Sequence, residues 1–135
     1  MKEIGGYIEL EYNHGKEYHQ NAIRLNCGRN CLAYLIEVYD IKKIYIPYFL
    51  CSSVSNVCKK YSVEIVYYHI SEDFTPIMPS DYSENSWFYL VNFYGQISNE
   101  QILSSYANIK NLIVDNAQAF FQMPLDNIPT IYTCR

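Results

Sequence analysis

The chain alternates between short, nearly continuous apolar runs and segments whose apolar residues repeat at helical spacing. The apolar runs predict strands, and the segments between them predict helices with Leu32, Leu35 and Ile36, or Leu50, Val54 and Val57, on one face. Strands that are apolar on both faces must be covered on both sides, which indicates an α/β fold: a three-layer sandwich around a mostly parallel sheet. The predicted strands cover 42–47, 63–70, 86–95, 111–115 and 128–134, the predicted helices cover 29–39, 49–61 and 98–109, and 73–85 is predicted as a loop.

The length and charge of the chain limit the classes of function. Its 135 residues fit a single domain, and half of them are hydrophobic while 18% are charged. The net charge is −4 and the longest basic runs are lysine pairs, so nucleic acid is not an expected partner. No apolar run approaches the ~20 residues of a membrane span, and the N-terminal "MKEIGGYIELEY" lacks the apolar core of a signal peptide. We therefore expect a cytoplasmic protein that does not contact a membrane.

The cysteines and histidines do not form a metal-binding pattern. The five cysteines lack a C-x-x-C pair and are odd in number, so buried free thiols are expected rather than disulfides or a zinc site. The three histidines are scattered, and no metal is predicted. The cysteines are Cys27, Cys31, Cys51, Cys58 and Cys134, and the histidines are His14, His19 and His69.

The stretch "LNCGRNCLAYLI" places a glycine at the start of a predicted helix. Gly28 permits a close approach, and the first N–H groups of the helix belong to Arg29, Asn30 and Cys31. Free amides and the helix dipole attract an anion to such a start. A glycine before a helix is common, so this stretch by itself is only a weak indication of a phosphate site.

The stretch "NLIVDNAQAFF" places a carboxylate directly after an apolar strand. Asp115 ends the strand, and the amide of Gln118 follows three residues later. An ordinary solvated strand end is the alternative interpretation. A carboxylate in this place also suits a protonated pyridine nitrogen, which pyridoxal 5'-phosphate needs in order to withdraw electrons. Together with the predicted phosphate site, Asp115 predicts a pyridoxal-phosphate site at the carboxyl ends of the strands.

Four stretches resemble, in order, the N-terminal part of the DegT/StrS sugar aminotransferases, which have the fold type I architecture of pyridoxal-phosphate enzymes. They are "NCGRNCLAYLI", "IYIPYFLCSSV", "VNFYGQ" and "VDNAQAF". The resemblance extends over roughly residues 4 to 135. It implies part of an aminotransferase large domain, in a family whose members transfer an amino group, usually from glutamate, to a keto-sugar nucleotide.

The resemblance also implies individual roles. The amides of Arg29 and Asn30 after Gly28 would bind the cofactor phosphate, Asp115 would pair with the pyridine nitrogen, and Gln118 would approach the ring hydroxyl. A hydroxyl that helps to hold the phosphate matches Thr130 or Thr133. Cys51 stands where family members often carry an aromatic that stacks on the ring, with Tyr48 and Phe49 beside it. Asn92 stands where the family often has His.

The Schiff-base lysine of the family has no counterpart, because none of the lysines of the chain follows Asp115. No catalytic residue is therefore predicted, and we expect a single domain, 1–135, truncated before that lysine and inactive alone. The lysines are Lys2, Lys16, Lys42, Lys43, Lys59, Lys60 and Lys110. A nucleotide sugar and an amino-acid donor would be substrates of a full-length relative, which would be a homodimer or would be completed by the missing C-terminal part.

Other interpretations of the chain remain open. The alternatives are a non-catalytic binding or dimerisation module, one half of a split aminotransferase, and a flavodoxin-like or receiver-like domain. The last is least favoured, because "EYNHGKEY" provides no acidic pair after an apolar strand. A sheet that ends before its last strands exposes an apolar edge, so we expect the isolated chain to be marginally stable or to self-associate.

Overall fold

The computed structural model describes residues 15–134. The predictions about the N-terminal stretch "MKEIGGYIELEY" and His14 fall outside that range. The helices are α1 (Gly28–Tyr39), α2 (Ser52–Lys60) and α3 (Asn99–Ser105). The strands are β1 (Lys43–Pro47), β2 (Glu64–Ile70), β3 (Pro76–Ile77), β4 (Trp87–Val91), β5 (Leu112–Asp115) and β6 (Thr130–Ile131).

The six strands form one sheet in the order β3-β2-β1-β4-β5-β6. Strands β2, β1, β4, β5 and β6 are parallel, and only β3 runs antiparallel to its neighbour β2. From β1 the chain first builds outward to β2 and β3, and it then returns to the other side of β1 to add β4, β5 and β6. The point between β1 and β4, where the direction of building reverses, is the place where open α/β sheets form a crevice at the carboxyl ends of their strands.

The apolar side chains pack on both faces of the sheet. Leu32 and Ile36 of α1 and Val54 of α2 lie in one cluster, together with Ile44 and Ile113 from the strands. The neighbouring residues in the strands point to the other face, where they form a second cluster with Ile102 of α3. These strand residues include Tyr45, Leu90, Leu112 and Val114. The predicted α/β fold, with helices on both faces of a mostly parallel sheet, is thus confirmed.

The predicted elements are present, but several boundaries differ. Strand β4 ends at Val91 instead of Gly95, because the chain turns into a short 3-10 helix, Phe93–Gly95. The predicted strand 128–134 pairs only over Thr130–Ile131, and the predicted loop 73–85 contains β3. Ser98 caps α3, with a reciprocal capping box to Gln101. None of the helices within 15–134 has the length and apolar character that crossing a bilayer requires.

Candidate functional site

The candidate site lies at the carboxyl ends of the parallel strands, on the face that α1 and α2 cover. In the register of β4 and β5, Val91 pairs with Asp115 and Tyr89 with Ile113. Tyr89, Val91 and Ile113 belong to the cluster under α1 and α2. Because side chains alternate along a strand, Asp115 points to the same face as Ile113, where both helices begin.

Asp115 is buried, with 8% of its surface exposed. Its Oδ2 accepts a hydrogen bond from the Tyr89 hydroxyl at 2.7 Å, and its Oδ1 accepts one from the Ala117 amide at 2.9 Å. Burial raises the pKa of the Asp115 carboxyl, and the two hydrogen bonds oppose that rise. No residue within 15–134 forms an ion pair with this carboxylate. The site therefore contains a buried acid without a cation.

The start of α1 lies against the end of β6. A Cβ built on Gly28 would come within 3.2 Å of the Thr133 methyl group, Cγ2, and 3.9 Å of Ile131 Cγ2, so only glycine fits at this distance without a shift. The Thr133 hydroxyl donates to the Ala117 carbonyl at 3.3 Å, which links this end of the chain to the segment after Asp115. Gly28, Thr133 and Asp115, which are far apart in the sequence, are therefore brought to one edge of the sheet.

The amides at the start of α1 differ in their availability. The Asn30 N–H donates to the Cys27 carbonyl at 3.0 Å, and the Asn30 side chain donates to Asn26 Oδ1 at 2.5 Å. The first N–H groups of a helix lack intrahelical acceptors, and here these include the amides of Gly28 and Arg29. The predicted phosphate contact fits Arg29 better than Asn30, whose amide is directed at Cys27.

Three thiols surround this edge. Burial, and then the neighbouring thiol of Cys27 and the carboxylate of Asp115, raise the pKa of Cys31. Cys51, the N-cap of α2, lies 2.7 Å from the Ser53 hydroxyl, and that hydrogen bond lowers its pKa while Asp115 opposes the effect. The carboxylate of Asp115 thus acts electrostatically on a thiol in the first turn of α1 and on the N-cap thiol of α2.

The expectation that the cysteines are buried is wrong for most of them. Cys58 is buried, which raises its pKa to about 11, but Cys51 and Cys134 are exposed and Cys27 and Cys31 are half-buried. All five are free. The pKa of Cys27 is lowered first by the backbone amide of Asn30 and then by the side chain of Arg29, although its thiol makes no capping hydrogen bond. Cys27 and Cys51 are the N-cap residues of α1 and α2, which explains why neither is buried.

Gln118 is exposed and directed at the loop after β4. Its Oε1 accepts a hydrogen bond from the Tyr94 amide at 3.0 Å, and Tyr94 has a φ of 55°, in the left-handed region. The Gln118 side chain thus stabilises an unfavourable backbone conformation of Tyr94, in the turn that ends β4. The predicted contact between Gln118 and a ring hydroxyl remains a prediction.

Aromatic side chains line the same edge near β1 and β4. Tyr48 stacks on Tyr67 with a centroid distance of 4.7 Å, and Phe49 packs against Phe93 at 5.5 Å. Tyr48 and Phe49 remain 60% and 57% exposed. They and the exposed Cys51 belong to the short connection between β1 and α2, which carries all three candidates for stacking.

Sequence reasoning did not identify the polar residues that hold this edge together. Asn92 is fully buried: its Nδ2 lies within hydrogen-bond distance of the Ile97 carbonyl at 3.1 Å, Asn116 Oδ1 at 3.1 Å and Gln122 Oε1 at 2.8 Å, and its Oδ1 accepts from the Ile97 amide at 2.9 Å. Tyr89 lies within the predicted apolar strand 86–95, and the apolar pattern of that strand does not indicate a polar partner for its hydroxyl. The available signal was chemical, because a buried tyrosine or asparagine needs a polar partner.

No His, Cys, Asp or Glu cluster suited to a metal ion occurs within 15–134. Two surface depressions of the described chain lie elsewhere. One is lined by Lys16, Glu17, Gln20 and Arg24, and the other by residues at the amino ends of β4, β5 and β6, including Trp87 and Pro129. Neither includes Asp115.

No family model and no curated protein matches the sequence. Among solved structures, the chain is similar to the aminotransferase from Psychrobacter cryohalolentis, with a TM-score of 0.54 and 16% identity over 68% of this chain and 26% of that one. It is also similar to the alanine aminotransferase from Pyrococcus furiosus, with a TM-score of 0.51 and 13% identity over 76% of this chain and 30% of that one. The chain spans less than a third of either structure, and over that span it has the fold of these aminotransferases.

Proposed function

We propose that this chain is part of the large domain of a pyridoxal-phosphate-dependent aminotransferase of the DegT/StrS type. The observation that supports this most strongly is the position of Asp115. Its carboxylate is buried at the end of β5, on the sheet face that α1 and α2 cover, and no residue within 15–134 forms an ion pair with it. The similarity in fold to two aminotransferases and the four stretches that resemble the sugar aminotransferases support the same assignment.

The residues at this edge fit the cofactor. A pyridinium would supply the positive charge that Asp115 lacks, since an opposite charge compensates the cost of burying a carboxylate. The amide of Arg29 and the hydroxyl of Thr133 would hold the phosphate at the start of α1, where Gly28 lets Thr133 pack close to the helix. Cys51, with Tyr48 and Phe49, would contact the ring face, and Gln118 the ring hydroxyl. When bound, the cofactor withdraws electrons from the substrate carbon that loses a proton.

Amino transfer also needs a base that moves the proton, and none of the lysines of this chain follows Asp115. We propose that a lysine outside this chain supplies that function. A glutamate-like donor and a keto-sugar nucleotide as acceptor are the substrates that the resemblance to the sugar aminotransferases suggests.

Equilibrium dialysis with pyridoxal 5'-phosphate tests the proposed site. We expect the wild-type chain to retain the cofactor without a covalent bond and Asp115→Asn to lose most of that retention. Asp126→Asn is the matched control, because Asp126 is an exposed aspartate in the turn before β6, next to Asn127 at the amino ends of the strands rather than at the carboxyl ends where Asp115 lies. Equal retention by both variants, or no retention by the wild type above that of an unrelated protein, would overturn the proposal.

A second candidate function is one half of a split aminotransferase or a non-catalytic assembly module. The exposed aromatic side chains at the same edge favour it, since Tyr48, Phe49 and Tyr94 are each more than half exposed. A lysine-bearing companion chain that restores turnover when it is mixed with this one would establish the split enzyme. Stable self-association without cofactor retention would instead support the assembly module.

A further inference from the structure

Tyr89 is a fully buried tyrosine of β4 whose hydroxyl reaches the carboxylate of Asp115. The donor–acceptor distance to Oδ2 is 2.7 Å. The side chain lies under α1 and α2, two positions before Val91 in a strand whose register sets Val91 beside Asp115. Its phenol therefore extends along the sheet toward the strand ends and contacts the carboxylate from within the core.

The Tyr89 hydroxyl and the Ala117 amide hydrogen-bond both carboxylate oxygens of Asp115. Each donates to a different oxygen, at 2.7 Å and 2.9 Å, and this fixes the plane of the carboxylate. Both donors also stabilise the ionised form, because a hydrogen bond to a carboxylate favours its charge. Within 15–134 no other hydrogen bond is made to this carboxylate, which leaves the second lone pair of each oxygen for a group outside the core.

These contacts decide where a shared proton would reside. If a pyridine nitrogen faces Asp115, one proton is held either on the nitrogen or on the carboxyl oxygen. Donors to the carboxylate make it a weaker base, so the proton stays on the nitrogen. Without the donor from Tyr89, the buried carboxylate would compete more strongly for that proton.

We propose that Tyr89 is a positioning residue that orients Asp115 and keeps the proton on the cofactor nitrogen; this inference rests on the proposed function. The role differs from a purely structural one. A purely structural hydroxyl would only meet its own need for a hydrogen-bond partner in the core. This hydroxyl also determines the protonation state of the group that Asp115 contacts.

Tyr89→Phe tests the inference first in the cofactor-free chain. Carboxyl ¹³C NMR titration should show the Asp115 pKa rising in this variant by about one pH unit, the amount expected for loss of a hydrogen bond to a charged acceptor. Tyr68→Phe is the matched control, because the Tyr68 hydroxyl is equally buried but donates to the backbone carbonyl of Tyr89 at 2.8 Å. An unchanged Asp115 pKa in Tyr89→Phe, or an equal rise in both variants, overturns the inference.

The second measurement uses pyridoxal 5'-phosphate labelled with ¹⁵N in the ring. We expect the bound wild-type nitrogen to have the shift of a pyridinium and Tyr89→Phe to move it toward that of a neutral pyridine, while Tyr68→Phe does not. If Tyr89→Phe fails to fold, a fluorinated tyrosine incorporated at position 89 replaces it. Its hydroxyl is a stronger donor, so it should lower the Asp115 pKa.

The two measurements separate the two proposals. Cofactor retention with an unchanged nitrogen shift in Tyr89→Phe refutes the role of Tyr89 and leaves the proposed function intact. Failure of the wild type to bind the cofactor refutes the proposed function and, with it, the placement of the proton on a cofactor nitrogen. The cofactor-free titration then still decides whether Tyr89 sets the ionisation of Asp115.

Discussion

Replacing Asn92 by alanine should destabilise the chain more than a typical substitution. Asn92 is completely buried at the point where β4 ends, and its side chain contacts the backbone of Ile97 and the side chains of Asn116 and Gln122. Its two N–H groups serve three acceptors, so at least one of these bonds is shared. The substitution removes this connection between the loops that follow β4 and β5.

The cost can be worked from the groups that lose their partners. The buried Ile97 amide loses its acceptor, and at least one of the carbonyl or side-chain oxygens around Nδ2 loses its donor. Each orphaned buried group costs about 1–3 kcal/mol, and water admitted to the new space recovers part of that. We therefore expect Asn92→Ala to lower the free energy of unfolding by about 2–4 kcal/mol. For a chain of this length the loss corresponds to a fall in Tm of roughly 6–15 °C.

Urea unfolding followed by circular dichroism measures this loss, with the midpoint and slope fitted together. Asn56→Ala is the control, because Asn56 is exposed on α2 and its replacement should change stability by no more than about 0.5 kcal/mol. A loss below about 1 kcal/mol for Asn92→Ala, or similar losses for both variants, would show that the network contributes little to stability.

Three further predictions concern chemistry at the same edge. Alkylation at mildly alkaline pH, followed by mass spectrometry, should modify Cys27 and Cys51 before Cys58, whose pKa is about 11; equal rates would contradict the thiol environments described above. The purified chain should show no transaminase turnover, because no lysine follows Asp115, and turnover above a no-protein control would refute this. Asp115→Asn should be more stable than the wild type at neutral pH, since a raised carboxyl pKa means that ionisation disfavours folding. That difference should disappear as the pH falls below the ordinary aspartate pKa of about 4, and a constant difference would contradict the prediction.

The sequence predicted the parallel core of the fold because its central strands are apolar on both faces. Runs such as Ile44–Ile46 and Leu112–Val114 have no polar face, so they fit only the interior of a covered sheet. The ends of elements were less predictable. Strand β4 stops at Val91 although Phe93 and Tyr94 continue the apolar run. The Asn92 amide still donates to the Asp115 carbonyl, but the chain then turns into the 3-10 helix, and the Asn92 side chain bonds the backbone of Ile97 beyond that turn. A tertiary contact of this kind leaves no periodic signal.

The candidate site followed from the sequence where topology alone determines position. Asp115 follows a parallel strand and Gly28 precedes a helix, so both were expected at the carboxyl edge, and the structure places them there with Thr133. The availability of the Asn30 amide and the contact of Gln118 with Tyr94 depend on local geometry that the sequence does not encode in any simple pattern. The Tyr89–Asp115 hydrogen bond required knowledge of the strand register.

The sign of two effects at Asp115 distinguishes a functional carboxylate from a structural one. A structural aspartate stabilises the fold through its hydrogen bonds, so its replacement by asparagine lowers stability. Asp115 is instead buried with a raised pKa and without an ion-pair partner within 15–134, so its charge is a net cost to the cofactor-free chain. A bound cation would reverse that cost. Asp115→Asn should therefore raise stability and lower cofactor retention together, a combination that a residue placed there only for folding does not produce.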